Sequence, residues 1–429
     1  MLRLSTLLPL ALATTTSFVA ATPIQRDFVP TTIIGQTPSV LHPDGTLDTE
    51  ALERDVQRSL ERSLHGLKGV DGVGSTGSFA KVKRQSNTAA LTDFQELAYL
   101  ADVSVGTPAQ HIPLLLDTGS ADLVIPASGS ECTVLPCFDT ASSSSFVNLN
   151  ESVTFAYGQG NIDGKIVSDT VTLGGVTVEN QSFGLVSSAD SAALQKSANG
   201  GIPLGIFGLS FDSIKKLPGA TFFDNVIASS KLSQNLFGLY LAPRGQSGSE
   251  VSLGAANPDK YTGRISTFNV KSKSHWTVQT NTLVVDGRGI WSGHVYTVID
   301  SGTTSSVMPK ALTDAFFAKI PGAQPAFTLP RSVNGQDIVA QVYAYPCAST
   351  VEPAFAFEHT RHRALQIAAE DLILAPADAE GTMCYSSLLG ADVTYDGQSA
   401  ALLGINFLRS WYTIHNFDDA TISFATAAK

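Results

Sequence analysis

Charge is what this 429-residue chain is shortest of: charged side chains make up 15% of it, against about a quarter in an ordinary soluble domain. Basic residues are the scarcer sign, 27 Lys and Arg against 38 Asp and Glu, for a formal charge of −11. Nucleic-acid binding is thereby excluded as an expectation, because phosphates demand a basic surface and no Lys/Arg-rich stripe supplies one. With 43% hydrophobic residues, the chain can bury a core and repels itself little, so disorder is not its main state. Four Cys are too few for a disulfide scaffold and enough for two bridges outside the cytosol. A Cys-based active site is the weaker reading, since no Cys/His context surrounds them. The single basic cluster after residue 84, His359-Thr-Arg361-His362-Arg363, has no carboxylate or Cys at ligand spacing and reads as a solvated loop. No metal and no cofactor are expected.

Long apolar runs are missing too. The longest is at the start, where Met1-Leu2-Arg3 leads into Leu7, Leu8, Leu10, Ala11 and Leu12. It is shorter than the ~20 residues that span a bilayer, and Val19 and Ala21 suit the −3 and −1 positions of a cleavage site, so residues 1–21 read as a secretory signal peptide. The C-terminal Ala425-Thr-Ala-Ala-Lys429 lacks a lipid-anchor tail, and no membrane anchor is expected. Between Thr22 and Arg84, Leu52, Val56, Leu60, Leu64 and Leu67 recur at helical spacing, with Glu50, Glu53 and Asp55 in the first turn, which predicts an amphipathic helix. A Gly-rich stretch, Gly69 to Gly77, then leads to Lys81-Val-Lys83-Arg84, suited to a processing protease, with a solvated linker as the blander alternative. Residues 22–84 are thus expected to be a propeptide. Only 8 of the 38 acidic residues but 9 of the 27 basic ones precede Gln85, so the remainder carries the whole acidic excess.

From Gln85 onward, short β-branched and aromatic runs are broken by Gly, Asn, Asp and Ser, as in Ser152–Tyr157, Lys165–Leu173 and Trp276–Val285. Mostly β is the expectation, with helices near Phe222–Lys231 and Pro309–Ile320. Within this region one pattern occurs twice. Leu115-Leu116-Asp117-Thr118-Gly119-Ser120 is echoed by Val298-Ile299-Asp300-Ser301-Gly302-Thr303, and each has a downstream partner, Ile206-Phe207-Gly208 and Leu402-Leu403-Gly404. A lone Asp-Thr-Gly-Ser is most simply a β-turn. Two copies, each after an apolar strand-like run, place two carboxylates at equivalent half-buried positions that a two-fold arrangement brings face to face. Such a pair shares a proton and titrates as a unit, and one ionised and one protonated oxygen can activate water and protonate a carbonyl together.

These residues carry a family resemblance. The chain resembles a pepsin-like aspartic protease, of the kind fungi secrete as a preproenzyme, over essentially all of Gln85 to Lys429. The resemblance rests on Asp117-Thr-Gly-Ser-Ala-Asp-Leu-Val-Ile-Pro126, Cys132-x4-Cys137, Phe155-Ala-Tyr157-Gly158-Gln159-Gly160, Asp300-Ser-Gly-Thr-Thr304 and the closing Leu402–Phe417 segment. It implies a bilobal, mostly β fold around a deep cleft, with an N-terminal lobe of residues 85–265 and a C-terminal lobe of residues 266–429. Asp117 and Asp300 would be catalytic, supported by Gly119, Ser120, Gly302 and Thr303. Tyr157, Gly158 and Gln159 would form a flap over the substrate, with Thr304 beside it, and the flap would exclude water. The implied disulfides are Cys132–Cys137 and Cys347–Cys384. Asn150-Glu-Ser152 and Asn180-Gln-Ser182 are glycosylation sequons, meaningful on a secretory route.

Two departures bear on function. The family usually has a Trp seven residues after the first catalytic Asp, bonded to the flap Tyr; Val124 stands there, and Val124→Trp is expected to lower KM or raise kcat. The acidic flap-tip residue of members that cleave after Lys is replaced by Gln159 and Gly160, so cleavage between bulky apolar residues is expected. His275 would line the primed side of the cleft by the family match, or lie on a surface strand. The expected protein is a monomeric acid endopeptidase acting on polypeptides, secreted or delivered to a vacuolar lumen. Its propeptide would act as an intramolecular inhibitor, with Lys68, Lys81 or Lys83 meeting the dyad. The rival is a pepsin-fold binding protein without activity, which the two intact motifs disfavour.

Overall fold

The computed structural model describes residues 40, 46–64, 87–94, 98–128, 136–157, 160–189, 205–333, 336–358, 363–395 and 397–428. They belong to one compact unit, Gln36–Lys429. Strands dominate, as the β-branched runs predict, and they assemble into a 13-stranded and a 12-stranded sheet. The first gathers the strands from Asn87–Phe94 through Tyr261–Asn269 and then takes back the last two of the chain, Trp411–Asn416 and Thr421–Ala427. The second is built from Thr277–Val285 through Gln398–Leu403. The returning strands tie the two halves together: Thr413 pairs with Leu239 and Trp411 with Thr426.

The apolar alternation of these strands feeds one large core that runs through both halves. At its centre Trp276 is fully buried and packs against Phe211, Phe237, His415 and Phe417. Its indole N–H donates to the Leu209 carbonyl at 3.0 Å, which satisfies the polar end of an otherwise apolar side chain. Arg409 is equally buried. Its guanidinium donates to the Tyr99 hydroxyl and lies 3.4 Å from Asp371 and 3.8 Å from Asp93, so the charge is compensated by groups from both ends of the chain.

The helices follow their sequence signals. Helix α1, Thr49–Leu64, starts where the Asp48 carboxylate accepts the Ala51 N–H at 2.9 Å, an N-cap of the expected type. It buries Leu52, Val56 and Leu60, the predicted stripe; Leu67 lies outside the described residues. Helix α2, Phe222–Ala228, is capped by the Thr221 hydroxyl, and α3, Lys310–Phe317, follows Pro309 and buries Leu312, Phe316 and Phe317. Each is shorter than the predicted span, because the apolar pattern continues past the last helical turn. Helix α4, Ile405–Leu408, is a single buried turn. The Cys347–Cys384 disulfide joins residues with a Cα separation of 5.0 Å. Cys137 is disulfide-bonded, and its expected partner Cys132 lies outside the described residues, as do Lys68, Lys81, Lys83, Arg84 and most of the His359 cluster.

Candidate active site

Both motif aspartates sit at the ends of strands, and the strands end there for the same reason. Asp117 closes Gln110–Asp117, which runs parallel to Ile206–Gly208 with Leu115 opposite Ile206 and Asp117 opposite Gly208. Asp300 follows Arg288–Ile299, which runs parallel to Gln398–Leu403 with Val298 opposite Leu402. The Leu209 N–H donates to the Asp117 carbonyl at 2.8 Å, and the Asp300 N–H donates to the Leu403 carbonyl at 3.0 Å. The apolar run and its downstream echo are therefore neighbouring strands in each half. Both aspartates are wholly buried.

The hydrogen bonds around them repeat. The Gly119 N–H donates to Asp117 Oδ1 at 2.9 Å and the Ser120 hydroxyl to Oδ2 at 2.6 Å. The Gly302 N–H donates to Asp300 Oδ1 at 2.7 Å, and the Thr303 hydroxyl donates to Oδ2. Each carboxyl plane is thus pinned at both oxygens by donors that come from its own turn. The halves are then locked to one another. The Thr118 N–H donates to Ser301 Oγ at 3.1 Å and the Ser301 N–H to Thr118 Oγ1 at 2.9 Å. The Thr118 and Ser301 hydroxyls in turn donate to the Ile299 and Leu116 carbonyls at 3.0 and 2.7 Å. Sequence reasoning singled out neither Thr118 nor Ser301, although a hydroxyl residue in second place of both motifs was the available signal.

The glycines show how close the carboxyls come. A methyl group on Gly119 would stand 2.6 Å from Asp300 Cγ, and one on Gly302 would stand 2.6 Å from Asp117 Cγ. Each motif's glycine is the surface against which the other motif's carboxyl rests. Thr304 is nearly buried beside Thr303.

The flap expectation maps onto a hairpin, Val147–Tyr157 and Gly160–Leu173, with Tyr157 opposite Gly160. Its tip, Gly158 and Gln159, lies outside the described residues. Val124 is buried in a small cluster with Ile166, Val186 and Leu217, which occupy the space beside it. Asp122, missed by sequence reasoning, holds this corner: its carboxylate accepts the N–H of Lys216 at 2.9 Å and of Leu217 at 3.0 Å. Burial raises its pKa despite those donors. His275 is fully buried, its Nδ1 3.2 Å from Ser274 Oγ, so the surface-strand alternative does not hold. Asn150 and Asn180 are both exposed. Among the described residues no group of His, Cys, Asp and Glu is arranged to hold a metal, and no helix is long and apolar enough to cross a membrane.

Comparison with known proteins agrees with this geometry. The eukaryotic aspartyl protease family profile matches residues 98–427. The chain is 28% identical to major aspartyl peptidase 1 of Cryptococcus neoformans var. grubii, over 81% of this chain and 72% of that protein. It is 28% identical to vacuolar protease A of Arthroderma otae, over 79% and 80%, and 26% identical to cathepsin D of Gallus gallus, over 78% and 82%. Two β-rich halves each presenting one Asp-[Ser/Thr]-Gly turn, together with these matches, make the chain a member of the eukaryotic aspartyl protease family with the bilobal pepsin-like fold.

Proposed function

We propose that Asp117 and Asp300 form the catalytic dyad of this aspartic endopeptidase, and that the chain is the secreted, self-inhibited precursor of an acid enzyme. The observation that carries the dyad is the reciprocal contact of Gly119 with Asp300 and Gly302 with Asp117. Two carboxyl groups brought that close hold one negative charge and one proton between them. The ionised oxygen takes a proton from a water held between the carboxyls while the protonated one donates to the scissile carbonyl oxygen. The tetrahedral intermediate then collapses as its nitrogen is protonated, and no covalent enzyme intermediate forms. Ser120, Thr303 and the two glycine amides keep the carboxyl planes fixed, so orientation is prepaid before substrate binds.

Helix α1 supports the precursor reading. Leu52, Val56 and Leu60 share a buried cluster with Val298, Val307 and Leu402. Val298 lies two residues before Asp300, so α1 packs on the half of the molecule that carries Asp300. The equivalent face of the first half, Leu115 with Ile206, Ala98 and Leu100, forms a separate cluster without the helix. Burying three such side chains contributes on the order of 5 kcal/mol, enough to hold a detached segment in place at the high effective concentration of an attached one. The substrates proposed are polypeptides with bulky apolar residues flanking the scissile bond, a preference that rests on Gln159 and Gly160 in place of an acidic flap-tip residue. Relatives named for the vacuole keep an acidic vacuolar lumen as the alternative destination to the medium.

The test is hydrolysis of a denatured protein at acid pH, with and without a transition-state peptide inhibitor, for the chain starting at Gln85, its Asp117→Asn and Asp300→Asn variants, and the full precursor. Inhibitor-sensitive activity that either Asn substitution abolishes is expected. Activity that survives either substitution removes the dyad, and equal activity of precursor and truncated chain removes the inhibitory role of residues 22–84. Leu52→Asp in the precursor is expected to relieve inhibition and bring its activity towards that of the truncated enzyme.

A further inference from the structure

Outside the active site, two of the exposed large hydrophobic side chains among the described residues fall on one sheet edge. Strand Val147–Tyr157 is the terminal strand of the 13-stranded sheet, and among the described residues it pairs on one side only, with Gly160–Leu173. Unpaired edges are templates for association with another chain, and proteins commonly blunt them with Lys, Pro or cover. This one has neither Lys nor Pro, and Glu151 is its single charged residue. Three large hydrophobic side chains are exposed among the described residues, and two of them, Val147 at 46% and Leu149 at 41%, lie on this edge.

The same strand contains the sequon Asn150-Glu-Ser152. Asn148 pairs with Val167 and Glu151 with Ile166, so Leu149 and Asn150 bulge out of the ladder. Asn150 takes φ of 59° at the bulge, a left-handed conformation asparagine tolerates, and its N–H donates to Asn148 Oδ1 at 2.9 Å. Asn150 and Ser152 are exposed. Asn180 also has a positive φ, 54°, but its setting differs. It too lies at a register shift, between Val178 and Gln181, but its strand, Val176–Ala189, is not the terminal one of the sheet, pairing with Leu123–Pro126 over Gly184–Val186, and the next residue, Gln181, is buried and bonded to Asn225 and Ala220.

We propose that Asn150 carries an N-linked glycan whose role is to cap this edge, covering Val147 and Leu149 and preventing strand-to-strand association of the secreted protein. The proposal rests on the secretory route argued above, not on the dyad. Transfer forms a bond from Asn150 Nδ2 to the anomeric carbon of a lipid-linked oligosaccharide diphosphate. That carbon's bond to the diphosphate oxygen breaks, the electron pair leaves with the lipid diphosphate, the amide proton is released, and nothing is oxidised or reduced. The acceptor is exposed at a bulge where no ladder pairing is made, so the folded strand pairs as before once the sugar is attached.

The test uses the full chain made in a eukaryotic secretory host. Peptide mapping after amidase deglycosylation in heavy-oxygen water reads occupancy, and sedimentation velocity at matched concentration reads association. Asn150 is expected to be occupied. Asn150→Gln, and Ser152→Ala, which removes the sequon while keeping the asparagine, are expected to give several-fold more oligomer; Asn180→Gln is not. Val147→Lys with Leu149→Lys in the Asn150→Gln background is expected to restore the monomer. An unmodified Asn150, sequon variants as monomeric as the parent, or equal association of Asn180→Gln overturns the proposal. Enzymatic trimming of the glycan from folded protein gives the same readout without a substitution that could impair folding. Monomer isolated from each variant keeps its acid peptidase activity, so inactivity of the parent counts against the dyad and leaves the edge proposal standing.

Discussion

Gly302 lies against the carboxyl of Asp117, close enough that a methyl group on it would stand 2.6 Å from Asp117 Cγ. Gly119 meets Asp300 in the same way. The glycine of each motif is therefore required by the aspartate of the other. A turn needing flexibility would ask for glycine on its own account; here the demand comes from across the interface between the halves.

Gly302→Ala should consequently act on chemistry and not on the fold. Its methyl must displace the Asp117 carboxyl, and misplacing a reacting group by about an ångström costs on the order of 100-fold in rate. Peptide hydrolysis by Gly302→Ala is expected to lose at least that much in kcat while the circular dichroism spectrum and melting temperature change little. A kcat within a few-fold of the parent would remove the reciprocal packing from the account of catalysis.

Val124→Trp tests what stands in for the missing flap-supporting indole. Val124 is buried with Ile166, Val186 and Leu217, so a Trp alone overpacks the corner, a change that costs about 1 to 3 kcal/mol. The structure thus modifies the expectation drawn from sequence: the single variant is expected to melt lower with no gain in kcat/KM. Paired with Leu217→Ala, which opens space, the Trp is expected to lower KM. Comparing the single and double variants in one kinetic and melting series decides it, and a stable single variant with improved kcat/KM would show that the corner already has room.

Asp122 positions that corner through the Lys216 and Leu217 amides. Asp122→Ala leaves those donors without their acceptor and should raise KM several-fold with a smaller effect on kcat, because Leu217 moves while the dyad does not. The pH dependence has a definite sign. Burial raises the folded-state pKa above the usual 3.8, so the folded state binds more protons in the window between the two values and stability falls as pH rises through it. Asp122→Asn, neutral throughout, is expected to remove that decline; a stability profile parallel to the parent's would contradict it.

Much of this was legible in the sequence because the gene-scale repeat is also a structural one. The duplicated Asp-[Ser/Thr]-Gly turn, its apolar lead-in and its downstream Leu-Gly or Phe-Gly echo sit as adjacent parallel strands in each half. The amphipathic stripe of α1 was equally readable, since Leu52, Val56 and Leu60 face one way at helical spacing. What could not be read was anything decided between distant segments. The cross-bonds of Thr118 and Ser301 span 183 residues, and Asp122 meets Leu217 across 95. His275 looked ambiguous because a single polar residue beside Trp276 carries no periodicity, and its full burial appears only in the fold.

His415 gives the protein an acid weakness that its proposed working pH would expose. The ring is fully buried, 4.4 Å from Phe237 and 4.8 Å from Trp276 between centroids, and neither nitrogen has a hydrogen-bond partner among the described residues. Burial holds its pKa well below the ordinary 6.5. A histidine that is neutral when folded and protonates when unfolded contributes nothing adverse above the unfolded value. As pH falls below 6.5 the unfolded state gains a proton the folded state refuses, and stability drops by about 1.4 kcal/mol per unit until the folded value is reached. His415→Phe keeps an aromatic ring among aromatic neighbours and sacrifices no hydrogen bond. Urea unfolding of parent and variant from about pH 7 to about pH 4.5 should show a difference that grows in the variant's favour by about 1.4 kcal/mol for each unit below 6.5. Because the slope, not the absolute stability, carries the prediction, any packing cost of the larger ring shifts the curve without hiding the result. A difference that stays constant across the range would mean that His415 protonates in the folded protein as readily as in the unfolded one, against its buried setting.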